Sequence, residues 1–156
     1  MNLQKDKYII VEIIPTHSKK ENGFIAQISA LKLDGIKLLD RFDYRVEDHL
    51  IESPDIRELI QYDKKSFTYV NNIYFMIEKF KQWSKGFPLI LIDDTYTYDY
   101  LEELDNPIEL VYPYLNLEPT EDVFVKMVDK YNLETSPHLV DLTYEAIIAE
   151  GNNNRE

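Results

Sequence analysis

The chain has 156 residues, 17 basic against 29 acidic, for a formal net charge of −12. That charge sets up a long-range field that repels nucleic acid and other polyanions and counts against a simple DNA- or RNA-binding module. It leaves a nuclease open, because carboxylates that hold divalent cations reverse the local charge. With no cysteine, the chain has no disulfide framework and no thiolate chemistry, and only His and carboxylates could hold zinc.

The length suits one domain, over residues 1–150, followed by a loose tail at 151–156, GNNNRE. The N-terminal string MNLQKDKYIIVEII has a short apolar run ended by Pro15 and lacks the features of a secretory leader. No segment approaches the roughly 18 apolar residues of a membrane helix. The expectation is a soluble cytoplasmic protein without membrane association.

YIIVEII, residues 8–14, is a nearly unbroken run of β-formers and predicts a strand buried on both faces, with Glu12 as the exception inside it. FIAQISALKL predicts a second strand, Asp34-Gly35 a type I′ hairpin turn, and IKLLDRFDYRV the third strand. Pro54 opens a short helix over DIRELI. Ser66 caps a long helix through Ser84, in which Val70, Ile73, Ile77 and Phe80 recur at helical spacing. Gly86 and Pro88 then separate that helix from a strand over LILI. A helix at about 97–104, a short strand near 108–111, and helices at about 120–131 and 138–149 complete the order. The order implies an α/β domain with a mixed five-stranded sheet, a hairpin of three strands followed by parallel ones, flanked by helices.

The string LILIDDTYTYDYLEEL, residues 89–104, runs from a strand into Asp93, Asp94 and Asp99 with Tyr96, Tyr98 and Tyr100 between them. Taken alone, Asp93 and Asp94 fit helix caps, Asp99 fits a first-turn carboxylate favoured by the helix dipole, and the tyrosines fit amphipathic core. An acidic metal site, or rings that stack on bases, is the alternative from the same residues. His17 and His49 lie in predicted loops and carry no motif.

The element order and several strings resemble the DEDD family of 3′-5′ exonucleases, which have a ribonuclease-H-like three-layer fold. FIAQISALKLDGIKLLDRFDYRV is similar to that family's second and third strands with their shared DG turn. SPDIRELIQYD and SFTYVNNIYFMIEKFKQWSKG are similar to the segments that follow. The resemblance covers about residues 8–149. It implies hydrolysis of phosphodiesters by two divalent cations, Mg²⁺ or Mn²⁺, about 4 Å apart and held by four carboxylates, with a histidine as general base.

Carried over residue by residue, the family's Asp-x-Glu falls on Glu12, Ile13 and Ile14, so Glu12 stands in for the aspartate and the glutamate is lost at Ile14. The second motif falls on Asp94 to Asp99 and retains Asp99 as its metal ligand, with Asp94 as a further candidate. The third, a His followed five residues later by Asp, falls on His138 and Thr143. His138 keeps the general base, the ligand at Thr143 is lost, and Asp141 is a candidate replacement.

Three functional readings follow. In the first, the chain is a degenerate exonuclease homologue, impaired or inactive, that serves as a binding or regulatory module. In the second, it is a working metal-dependent exonuclease on a DNA or RNA 3′ end, its site rebuilt from Glu12, Asp94, Asp99, His138 and Asp141. In the third, it is an acidic protein that mimics nucleic acid or engages a basic protein partner. Losing two of four ligands favours the first, since each cation supplies much of the transition-state charge stabilisation.

Overall fold

The run KYIIVEIIP forms β1, Lys7–Pro15, at the centre of a computed structural model that describes residues 1–15, 25–51, 54, 67–92, 101, 104–118, 123–134 and 139–153. β1 pairs antiparallel with β2, Ile25–Asp34, which pairs antiparallel with β3, Lys37–Val46. β4, Thr68–Val70, adds parallel to β3 at one edge. On the other side of β1, β5, Leu89–Leu91, and β6, Ile108–Leu110, continue the sheet in parallel. The strand order is β4-β3-β2-β1-β5-β6. A 3-10 turn, Asp48–Leu50, follows β3.

Strand alternation divides the core into two layers. Ile9, Val11 and Ile13 join Ile28, Phe42, Met76 and Phe80 on one face, under α1, Ile73–Ser84. Tyr8 and Ile10 join Leu31, Met127, Val140 and Ile147 on the other. That second face is covered by α2, Tyr112–Leu115, α3, Val123–Tyr131, and α4, Leu139–Asn153. The result is a three-layer α/β fold with the mixed antiparallel-then-parallel sheet expected from the sequence.

Five details differ from the expectation, one of them the short helix α2, which the expected order lacks. The sheet has six strands instead of five, because Thr68, Tyr69 and Val70 pair with Tyr44, Arg45 and Val46. A β-branched and aromatic tripeptide beside an open strand edge gains more from ladder bonds than from a first helical turn. The long helix therefore starts at Ile73, capped by Asn72, whose side chain accepts from Tyr74 N at 2.9 Å, and not by Ser66.

At the hairpin, Asp34 pairs with Lys37, and of the two residues between them only Gly35 has a positive φ, 61°. This fits a type II′ turn better than the expected type I′. A side chain at Gly35 would also meet the Gln4 carbonyl oxygen at 2.5 Å. The last helix runs on through Asn153 with Gly151 buried, so the first three residues of the expected tail are helical. A Cβ at Gly151 would require the end of the Gln4 side chain to move aside. The helices expected over DIRELI and at 97–104 fall on segments that lie almost wholly outside the described residues.

Tyr8 ties the hairpin turn to the N-terminal segment. Its ring is fully buried and its hydroxyl lies 3.1 Å from both the Leu3 and Gly35 carbonyl oxygens. Burial, and secondarily Tyr144, raises its pKa well above the ordinary 10.0. Tyr131 is raised in the same way, first by burial and then by Glu150, whose Oε2 accepts its hydroxyl at 2.6 Å.

The folded state therefore keeps these protons to higher pH than the unfolded chain does. Their contribution is complete below pH 10 and is lost as the pH climbs above it. For Tyr8 alone the loss is about 1 kcal/mol over the first pH unit. Urea midpoints measured at pH 9 and pH 11 should fall less for Tyr8→Phe than for the parent chain. Equal falls would show that Tyr8 is not a source of alkaline lability.

Candidate functional site

All strands except β2 point the same way, so the C-terminal ends of β1 and β5 share one end of the sheet, where crossover α/β folds place ligands. The β1–β5 ladder ends at Val11 and Leu91. Glu12 is the next residue of β1, half-buried, on the face that carries Ile10 and α4.

Register assembles a polar corner around Glu12. Glu12 lies opposite Ser29, and Ser29 opposite Asp43, giving one rung across β1, β2 and β3. The next rung is Ile14, Gln27 and Arg45, and the preceding one is Ile10, Leu31 and Arg41. Arg45 is only 5% exposed. Its Nε and Nη2 donate to Gln27 Oε1 at 2.9 and 2.7 Å, and its guanidinium sits 4.0 Å from the centre of the Phe67 ring. A buried guanidinium with charge-assisted donors and a stacked ring is a fixed positive charge on this face.

Arg41 supplies a second one. Its Nη1 donates to Asp141 Oδ1 at 2.9 Å and its Nε to Asp43 Oδ2 at 3.2 Å, so it binds the first turn of α4 to β3. Burial disfavours the Arg41 charge, but Asp141 and Asp43 outweigh it and hold its proton more firmly than usual. Asp43 Oδ1 is buried without a hydrogen-bond partner, so Arg41 is the group that compensates this carboxylate.

The candidate ligands fare unevenly. Glu12 lies at the corner. Ile14 is partly buried and packs against the apolar layer under α1. Thr143 is fully buried, its Oγ1 donating to the Leu139 carbonyl at 2.8 Å and lying 3.6 Å from Met127 Sδ. Asp141 is two residues away, about 200° around the helix axis, and its carboxylate meets Arg41 instead of occupying the place of Thr143. Asp94, Asp99 and His138 lie outside the described residues. Among the described residues no three His, Asp or Glu side chains form a group able to hold a metal ion. The two-cation arrangement that the resemblance implies also draws on Asp94, Asp99 and His138, which are not among these residues.

Gln27, Arg41, Asp43 and Arg45 belong to no motif in the sequence. The available signal was alternation: polar side chains recur at every second position of FDYRV and QIS, between apolar residues.

No helix among the described residues is long and apolar enough to cross a membrane. No family model and no curated protein matches the chain. Among solved structures, it is similar to one described as "3'-end specific recognition of histone mRNA stem-loop by 3'-exonuclease", with a TM-score of 0.63 and 13% identity. The match covers 94% of this chain and 63% of that one, so this chain spans less than two thirds of its length. At that identity the likeness shows the fold, which is exonuclease-like.

Proposed function

We propose that this chain is an exonuclease-like domain that binds nucleic-acid ends without two-metal cleavage, and so acts as a binding or regulatory module. The carrying observation is the charge balance of the corner: Arg41 is bound to Asp43 and Asp141, and buried Arg45 stands on the same face. Arg41 already pairs with both of these acids, and like charge from it and from Arg45 disfavours a divalent cation beside them. The hydroxyl of Thr143, committed to the Leu139 carbonyl, and the apolar Ile14 add no ligand. The ligand class comes from the structural neighbour, which is described as recognising an RNA 3′ end.

The rebuilt-site alternative depends on Asp94, Asp99 and His138, and one assay separates the two. Labelled single-stranded DNA and RNA are incubated with Mg²⁺ or Mn²⁺, with the parent chain and Asp99→Ala side by side. The expected result is no shortening that depends on both the metal and Asp99. Cleavage lost in Asp99→Ala would establish a working nuclease and overturn this reading.

A further inference from the structure

A chain of net charge −12 can hold a polyanion only where its surface departs locally from that charge, and α1 does so. Over Ile73–Ser84 and the C-cap residue, three lysines, Lys79, Lys81 and Lys85, stand against the single Glu78. By contrast, α4 carries Asp141, Glu145 and Glu150 and no basic residue. α1 has the largest basic excess of the described helices.

The same helix exposes two large aromatic residues where a soluble surface gains nothing from them, Tyr74 at 71% and Phe75 at 49%. Helical spacing sets them in line with the charges. Tyr74, Glu78, Lys81 and Lys85 follow one line of the helix, and Phe75, Lys79 and Gln82 the next. Lys79 Nζ lies 5.3 Å from the centre of the Phe75 ring, and Lys81 pairs with Glu78 at 3.4 Å, which cancels the only negative charge of this face.

α1 starts at the end of the sheet where β1 and β5 finish. Tyr69 on edge strand β4, 51% exposed, stands opposite Arg45, on the sheet face away from α1.

We infer that the exposed face of α1 binds single-stranded nucleic acid, with bases stacked on Tyr74 and Phe75 and phosphates held by Lys79 and Lys85. The inference deepens the proposed function and rests on its ligand class. Rings and lysines in alternation are what a sequence-tolerant single-strand surface requires, since every base has a face to stack and every nucleotide a charge to neutralise. A duplex hides its base faces and offers this surface only its phosphates.

The test is fluorescence anisotropy of labelled oligothymidylate and oligouridylate at low salt, with a duplex of equal length as comparison. It uses the parent chain, the double variant Tyr74→Ala/Phe75→Ala, and Lys79→Glu, with circular dichroism to verify that each is folded. All three side chains are exposed, so the fold should tolerate the changes. The expected results are single strands bound in preference to duplex, at least about tenfold weaker binding in the aromatic variant, and a shallower salt dependence in Lys79→Glu.

Unchanged binding in the aromatic variant, equal affinity for duplex, or no binding by the parent chain would each overturn the inference. The last outcome would leave the face to a protein partner. Cleavage of the same oligonucleotides with Mn²⁺, alongside binding that depends on α1, would overturn only the non-cleaving reading. Binding that survives the α1 variants without cleavage would overturn only the α1 assignment.

Discussion

Replacing Thr143 by aspartate, the residue the exonuclease pattern expects there, should lower stability by about 3 to 5 kcal/mol at neutral pH and restore no ligand. Thr143 is fully buried between α4 and Met127, and its hydroxyl donates to the Leu139 carbonyl. A carboxylate cannot donate, so it would face that carbonyl oxygen with like charge in an apolar slot. Burial would raise its folded-state pKa above the unfolded value. The penalty would therefore be small at low pH and grow as the pH rises past the ordinary carboxylate range. Urea unfolding at pH 4 and pH 7 reads this directly. Parent-like stability at pH 7, or stabilisation of the variant by Mn²⁺, would show that the position still faces a metal site.

The second large effect is expected at Arg45. Arg45→Ala removes two charge-assisted donors from Gln27 Oε1 and the planar partner of Phe67, within a site that is 95% buried. The expected cost is about 3 kcal/mol, which corresponds to a fall in Tm of about 6 to 12 °C for a chain of this size. Arg45→Lys should recover only part of it, since an ammonium offers neither the fork nor the flat face. Thermal unfolding checks both. A change under about 1 kcal/mol in Arg45→Ala would mean that the guanidinium is effectively solvated and does not fix the charge of the corner.

Much of the fold is legible because its signals are local. YIIVEII can bury both faces only as a central strand, and the glycine after Asp34 supplies the positive φ of the turn. β4 was not legible, because three residues carry no period and their pairing with β3 is a tertiary event. The helix start moved for the same reason: once Thr68 to Val70 are in the sheet, Asn72 is the residue placed to cap α1.

The candidate site divides along the same line. The resemblance points to Glu12, and to Ile14 and Thr143 as positions where its pattern has acids. Nothing local reveals that Asp43 lies two strands from Glu12 on one rung, or that Arg41 spans β3 and α4, because both depend on strand register. Asp141 stands near Thr143 in sequence, and its orientation around the helix axis brings it to Arg41.

In the proposed function, Arg41 balances Asp43 and Asp141 at the end of the sheet where the exonuclease pattern uses cations. Calorimetric titration of Mn²⁺ into the folded parent chain, Glu12→Gln and Asp99→Asn tests it most directly. The expected result is no site tighter than roughly 0.1 mM in the parent chain and no difference among the three. Two Mn²⁺ ions held more tightly by the parent chain, and lost in Glu12→Gln and Asp99→Asn, would contradict it.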